Sequence, residues 1–292
     1  MFTGSLVPII TPFRDGKLDR DALERVIEYV LREGSDGIIP CGTTGESATL
    51  SHEEHERVIE WTIEIVRKRV PVVAGTGSNS TAEAIRLTSA AKRAGADGAL
   101  LISPYYNKPT QDGIYRHYAA VAEAVAPMPI LIYNIPGRTG SKIEPATLAR
   151  CAQVANIAGV KEATGSLEQA QDVLALCGER FAVYCGEDAL NFAMLAVGGH
   201  GLISAVGNVI PGALSRMTKL CRDGKWEEAR RIHYETLPLV KLLFVETNPI
   251  PVKTACSLMG LCTAELRAPM TPMTEGNLAK LRESMRALKM IA

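Results

Sequence analysis

A lysine closes the apolar run Asn156-Ile-Ala-Gly-Val-Lys161, and the chain turns away at once through Glu162, Ala163, Thr164 and Gly165. The run has the small apolar side chains of a parallel strand buried on both faces, so a lysine at its end has no easy route to bulk water. A partly desolvated ammonium has a lowered pKa and can offer the free amine that Schiff-base chemistry requires. The same residue could instead snorkel out of the strand end or pair with Glu162 or another acid. A second reactive group stands one strand earlier, where Pro129-Ile-Leu-Ile-Tyr133 ends on a phenol. Paired strands lie about 4.8 Å apart, so Tyr133 would come within reach of Lys161, or of a carbonyl bound to it, and could carry protons during imine formation.

Two further groups suit small anions. Thr43 and Thr44 sit in the turn Gly42-Thr43-Thr44-Gly45-Glu46, whose N–H groups and hydroxyls could hold a carboxylate and relay a proton to the phenol; an ordinary capped turn accounts for them equally well. Arg138, in a segment expected to be a loop, offers a guanidinium fork for a substrate carboxylate, against the alternative of a surface ion pair. His52-Glu53-Glu54-His55 falls one residue short of the zinc-protease spacing and is expected to face solvent on a charged helix, so no metal is expected there. Among the histidines (52, 55, 117, 200 and 233) only His200 lies near a strand, before its start, and no Ser-His-Asp order is evident.

Positioning these groups takes a repeating scaffold. Short apolar runs at 4–11, 36–40, 71–75, 98–103, 129–133, 157–161, 181–186 and 200–204 alternate with segments of helical periodicity. Asp19 opens a helix, Ser51 with Glu54 and Ser80 with Glu83 form capping boxes, and Gly34 stops the first helix. Eight such units predict a closed (β/α)8 barrel, whose chemistry gathers where the strands end. A doubly wound sheet needs a glycine fingerprint that Gly75-Thr76-Gly77-Ser78-Asn79-Ser80 does not provide. Helical patterns at about 211–222, 225–245, 249–259 and 274–290 follow without further strands. We divide the chain into a barrel, 1–224, and a helical extension, 225–292, packed on its flank.

The chain has 292 residues, with 32 basic and 32 acidic, so no net field draws it to nucleic acid or an anionic membrane. Aromatic residues make up 5% and are not interleaved with basic ones, which argues against base stacking. Seven cysteines without a C-x-x-C pair point to reduced thiols, and no apolar run reaches membrane-spanning length. The expectation is a cytoplasmic protein whose partners are small molecules or copies of itself.

Taken together, Gly42-Thr43-Thr44-Gly45-Glu46, Tyr133-Asn134-Ile135-Pro136 with Arg138-Thr139-Gly140, and Gly159-Val160-Lys161-Glu162 resemble the pyruvate-dependent Schiff-base (class I) aldolase family, over the whole chain. The closest resemblance is to the branch of lyases that condenses pyruvate with L-aspartate-4-semialdehyde in lysine and diaminopimelate biosynthesis. That resemblance implies a TIM barrel followed by C-terminal helices, a homotetramer built as a dimer of dimers, and no metal or organic cofactor. It also implies an imine on Lys161, acid/base work by Tyr133, and a relay through Thr43 and Tyr106, the latter donated by a neighbouring subunit. Thr44 would take the pyruvate carboxylate and Arg138 that of the semialdehyde, with Gly186 and Ile203 completing the substrate pocket. Ser47, Ala48, His52, His55, Asn79, Glu83 and Tyr105 match the pocket at which L-lysine inhibits bacterial members. A sister branch would keep the lysine and tyrosine and take another aldehyde; Arg138-Thr139-Gly140 argues against it. A non-catalytic binding barrel would need a pocket but not both Lys161 and Tyr133.

Overall fold

The structure, a computed structural model, describes residues 2–292. Eight parallel strands form its main sheet: β1 (Gly4–Pro8), β2 (Gly37–Ile39), β3 (Val73–Gly75), β4 (Gly98–Ile102), β5 (Ile130–Asn134), β6 (Ile157–Glu162), β7 (Ala182–Cys185) and β8 (Gly201–Ile203). Their spatial order, β2-β1-β8-β7-β6-β5-β4-β3, leaves β2 and β3 at the two ends, and a parallel bridge between Ile38 and Val72 joins those ends into a ring. Alternation along each strand divides the apolar side chains between two cores. Leu6, Ile39, Val73, Leu100, Leu131, Tyr133, Ala182, Tyr184 and Ile203 fill the barrel, while Ile130, Ile132, Val160, Val183 and Leu202 pack outward under the helices.

Those helices are α1 (Arg20–Arg32), α2 (His52–Val66), α3 (Thr81–Ala94), α4 (Gln111–Val125), α5 (Pro145–Cys151), α6 (Leu167–Cys177), α7 (Asn191–Ala196) and α8 (Pro211–Arg222). On α1, the stripe Ala22, Leu23, Val26, Ile27 and Val30 is buried, and the Asp19 carboxylate caps the first turn by accepting from the Ala22 N–H. Ser51 and Glu54 form the expected capping box. At α3 only half of one forms: Ser80 accepts from the Glu83 N–H, but the Glu83 carboxylate turns instead to Ser78 and His52. The first strand ends at Pro8, short of the expected residue 11: the Ile9 N–H still donates to the Ile39 carbonyl at 3.1 Å, but that of Ile10 turns to the Asn208 side chain at 3.0 Å. A hairpin of Phe13–Arg14 with Lys17–Leu18 follows, too short for its alternation to show in the sequence.

The extension comprises α9 (Trp226–Leu242), α10 (Ile250–Leu258) and α11 (Glu275–Ala287). Every residue of α10 from Ile250 to Cys256 is buried, so this helix has no solvent face. It packs against the turn after β8 and reaches the strand-end face, beyond the flanking position expected of it.

Candidate active site

Register brings the two reactive groups together. Tyr133 and Lys161 are direct partners in the β5–β6 pairing, and both lie on the strand face opposite the outward-packed Ile132 and Val160. The Lys161 amine stands 4.3 Å from the centroid of the Tyr133 ring, and each residue is 6% exposed. Burial lowers the lysine pKa from 10.5 to about 8, although Asp188 pulls it upward. The Tyr133 phenol is raised above its ordinary value by burial, opposed by the Arg138 charge and a hydrogen bond with Thr43. Near neutral pH the ammonium therefore gives up its third proton more readily than a free lysine would, beside a phenol that keeps its own.

The neighbours of Lys161 explain its conformation. Its partner on the other side is Tyr184, and a Cβ on Gly186 would stand 2.8 Å from both Cγ and Cε of the lysine, so a residue without a side chain is required there. The expected substrate-pocket residue Gly186 thus makes room for the lysine stem. Ile203, expected in the same pocket, is fully buried in the barrel's inner core at the end of β8. Behind the strand end, Glu162 accepts from the Thr164 N–H at 2.8 Å and the Asn134 amide at 3.0 Å, which ties it to the strand of Tyr133 and away from the ion pair considered for Lys161.

Two residues beyond the expected Gly186 stands Asp188, an acid that no motif in the sequence marks. Its carboxyl is 3% exposed, accepts from the Ser204 hydroxyl, and accepts from the Asn191 amide at 3.3 Å. Burial raises its pKa to about 6, while Ser204 and Lys161 hold it down. It is the buried acid facing Lys161.

The Gly42–Glu46 turn closes the other side. Thr43 lines a cavity of about 410 Å³ together with Tyr133, Arg138 and Asn248, whereas Thr44 is buried beneath the turn. The Thr44 hydroxyl accepts from the Asn248 side-chain amide at 3.0 Å, and Arg138 donates to the Asn248 main-chain carbonyl at 3.1 Å. Arg138 occupies a single helical turn, Pro136–Thr139, rather than the loop expected, because Pro136 starts the turn and Gly140, at φ +73°, stops it. Asn248 was missed: it lies 204 residues beyond Thr44, and nothing near it in the sequence has catalytic spacing.

Tyr106 does not reach this cavity. It is 88% exposed, on backbone with a left-handed φ of +72°, and is not among the residues lining the cavity. Ser47, Ala48, His52, His55, Glu83 and Tyr105 line the same cavity as Tyr133. Asn79 stands behind them, its amide donating to the Tyr105 carbonyl at 3.1 Å. The HEEH segment does not all face solvent: His52 is exposed and contacts Glu83 at 2.8 Å, but His55 is 6% exposed, on the helix face that carries Val58 and Ile59 inward. Burial lowers the pKa of His55, and the Ser78 and His52 contacts lower that of Glu83. No group of three or more His, Cys, Asp or Glu among the described residues could hold a metal ion, and no described helix is long and apolar enough to cross a membrane.

Comparison with known proteins gives this geometry a context. Residues 1–288 match the Dihydrodipicolinate synthetase family. A 4-hydroxy-tetrahydrodipicolinate synthase from Citrifermentans bemidjiense is 52% identical over 291 residues, covering 100% of both chains. The chloride-inhibited dihydrodipicolinate synthase of Acinetobacter baumannii, solved with pyruvate, superposes with a TM-score of 0.97 at 42% identity over 100% of both chains. The Cyanidioschyzon merolae enzyme, solved with lysine bound, also superposes at 0.97, with 39% identity over 99% of each.

Proposed function

The chain belongs to the dihydrodipicolinate synthetase family, and from that premise we propose that it condenses pyruvate with L-aspartate-4-semialdehyde to 4-hydroxy-tetrahydrodipicolinate, the first committed step towards lysine and diaminopimelate. The observation that carries this reading is the pairing of Lys161 with Tyr133: a buried amine whose pKa has fallen to about 8, 4.3 Å from the ring of a protonated phenol.

The neutral Lys161 amine adds to the pyruvate ketone, and the resulting alcohol leaves as water once protonated, with Tyr133 shuttling the proton. The iminium nitrogen then serves as the electron sink, so loss of a methyl proton gives an enamine. No metal or organic cofactor is called for. The enamine carbon attacks the aldehyde, whose oxygen takes a proton and becomes the product hydroxyl. The amine of the semialdehyde closes onto the iminium carbon and expels Lys161 as a free amine, leaving a six-membered cyclic imine. Thr43 passes protons between Tyr133 and solvent, joined by Tyr106 from a neighbouring subunit. Thr44 takes the pyruvate carboxylate and Arg138 that of the semialdehyde.

Exposure of Tyr106 supports a homotetramer in which dimers complete one another's sites, working in the cytoplasm. L-lysine fits the polar end of the cavity, its ammonium on Glu83 and its carboxylate on imidazole and amide donors, and inhibits from there. A coupled assay with both substrates tests the reaction, and borohydride trapping with pyruvate tests the intermediate: an adduct on residue 161 is expected, and its absence would overturn the reading. Activity indifferent to millimolar lysine would remove the regulatory part alone.

A further inference from the structure

The turn that carries Thr43 and Thr44 is held largely from the far end of the chain. Asn248 donates its side-chain amide to Thr44 Oγ1 at 3.0 Å and offers its main-chain carbonyl to Arg138 at 3.1 Å. Five positions on, Lys253 donates to Glu46 Oε1 at 2.6 Å in a pair whose side chains are 0% and 2% exposed. The other Glu46 oxygen accepts from the Arg267 N–H at 3.1 Å. Asn248 and Lys253 are linked through the main chain: the Lys253 N–H donates to the carbonyl of Pro249, the residue next to Asn248, at 2.8 Å.

A threonine hydroxyl has one proton and two acceptor sites. With an amide N–H directed at Thr44 Oγ1, the hydroxyl proton cannot point back at that amide and must be donated elsewhere, as binding a carboxylate requires. We propose that Asn248 is a positioning residue for pyruvate: it sets the Thr44 hydroxyl as a donor, and the Lys253–Glu46 pair holds the start of α10 where Asn248 can do so. This inference rests on the reaction assigned above. It predicts that the two substrates are affected differently, because the Asn248 side chain serves Thr44 whereas only its main chain serves Arg138.

Asn248→Ala removes the amide and keeps the carbonyl. The half-saturating pyruvate concentration, in both borohydride trapping and turnover, should rise about tenfold, while KM for the semialdehyde stays within about twofold. Asn248→Ser, with a shorter donor, should recover part of the loss. Glu46→Gln with Lys253→Met, which makes the anchor neutral on both sides, should raise the pyruvate value together with KM for the semialdehyde, because the Asn248 carbonyl that meets Arg138 shifts along with the side chain. Thermal midpoints identify variants that have merely loosened. Unchanged pyruvate half-saturation in folded Asn248→Ala overturns the proposal, and so does an equal rise for both substrates in that variant. Failure of the unaltered protein to trap pyruvate would bring down the assigned reaction, whereas trapping without the split brings down this inference alone.

Discussion

Lys161 and Lys253 are both buried, 6% and 0% exposed, and both lie near an aromatic ring, with Nζ 4.3 Å from the Tyr133 centroid and 4.1 Å from that of Phe13. What separates them is the carboxylate. Lys253 has Glu46 at 2.6 Å, and Glu46 is further tied to the Arg267 main chain. Lys161 has no ion pair among the described residues; the acid whose charge acts on it most, Asp188, is occupied by Ser204 and Asn191. Burial lowers the pKa of each lysine, but at Lys253 the Glu46 charge and hydrogen bond work against it, whereas Lys161 falls to about 8. A buried lysine thus becomes a clamp or a nucleophile according to whether its positive charge is matched.

The comparison is broken most completely by Lys161→Ala, which should eliminate borohydride trapping and turnover while leaving far-ultraviolet circular dichroism unchanged. Tyr133→Phe should keep the amine and lower kcat by about 10²–10⁴, the scale of lost proton transfer; turnover at the unaltered rate would contradict the phenol's role. Lys253→Met leaves the Glu46 carboxylate buried without its partner and should destabilise the fold by about 3–5 kcal/mol in denaturant titration, with Glu46→Gln in the same chain recovering much of that.

The opposite sign is expected at Lys161. A folded-state pKa near 8, against 10.5 for a free lysine, means that between those values the unfolded chain binds more protons, so stability climbs with pH across that window and the cost is fully present below it. Lys161→Met should therefore be inactive yet more stable at pH 7, by on the order of 3 kcal/mol. That advantage should shrink as pH rises through 8 and vanish near 10.5, which melting curves across pH can follow. The smallest effect belongs to Glu83→Ala: unchanged turnover without lysine and a weakened response to lysine, read from inhibition curves.

The barrel was legible because each of its units is local. Apolar runs, helical stripes and caps such as Asp19 and Ser51 act within a few residues, and the period-2 alternation that seats Tyr133 and Lys161 inside follows from each strand alone. What escaped is what crosses the chain. Asn248 meets Thr44 over 204 residues and Lys253 meets Glu46 over 207, with no spacing to announce either. Glu83 and Ser80 looked like a capping box, but His52 and Ser78 competed for the carboxylate and won. His55 was read as a surface residue from the charge around it, although its position beside Val58 and Ile59 on the helix turns it inward. Arg138 was assigned to a loop because a four-residue helical turn has no periodicity to detect.

Closure of the ring has a kinetic consequence. Four consecutive residue pairs, Leu131 with Gly159 through Asn134 with Glu162, are in register between β5 and β6, but β2 and β3 meet through one bridge, with flanking hydrogen bonds from Ile38 to Pro71 at 3.0 Å and from Gly75 to Pro40 at 2.9 Å. Deuterium should therefore replace the amide protons of Ile38 and Gly75 sooner than those of Val160 and Lys161. The barrel would breathe along the staves next to the threonine turn, while the wall bearing the nucleophile stays shut.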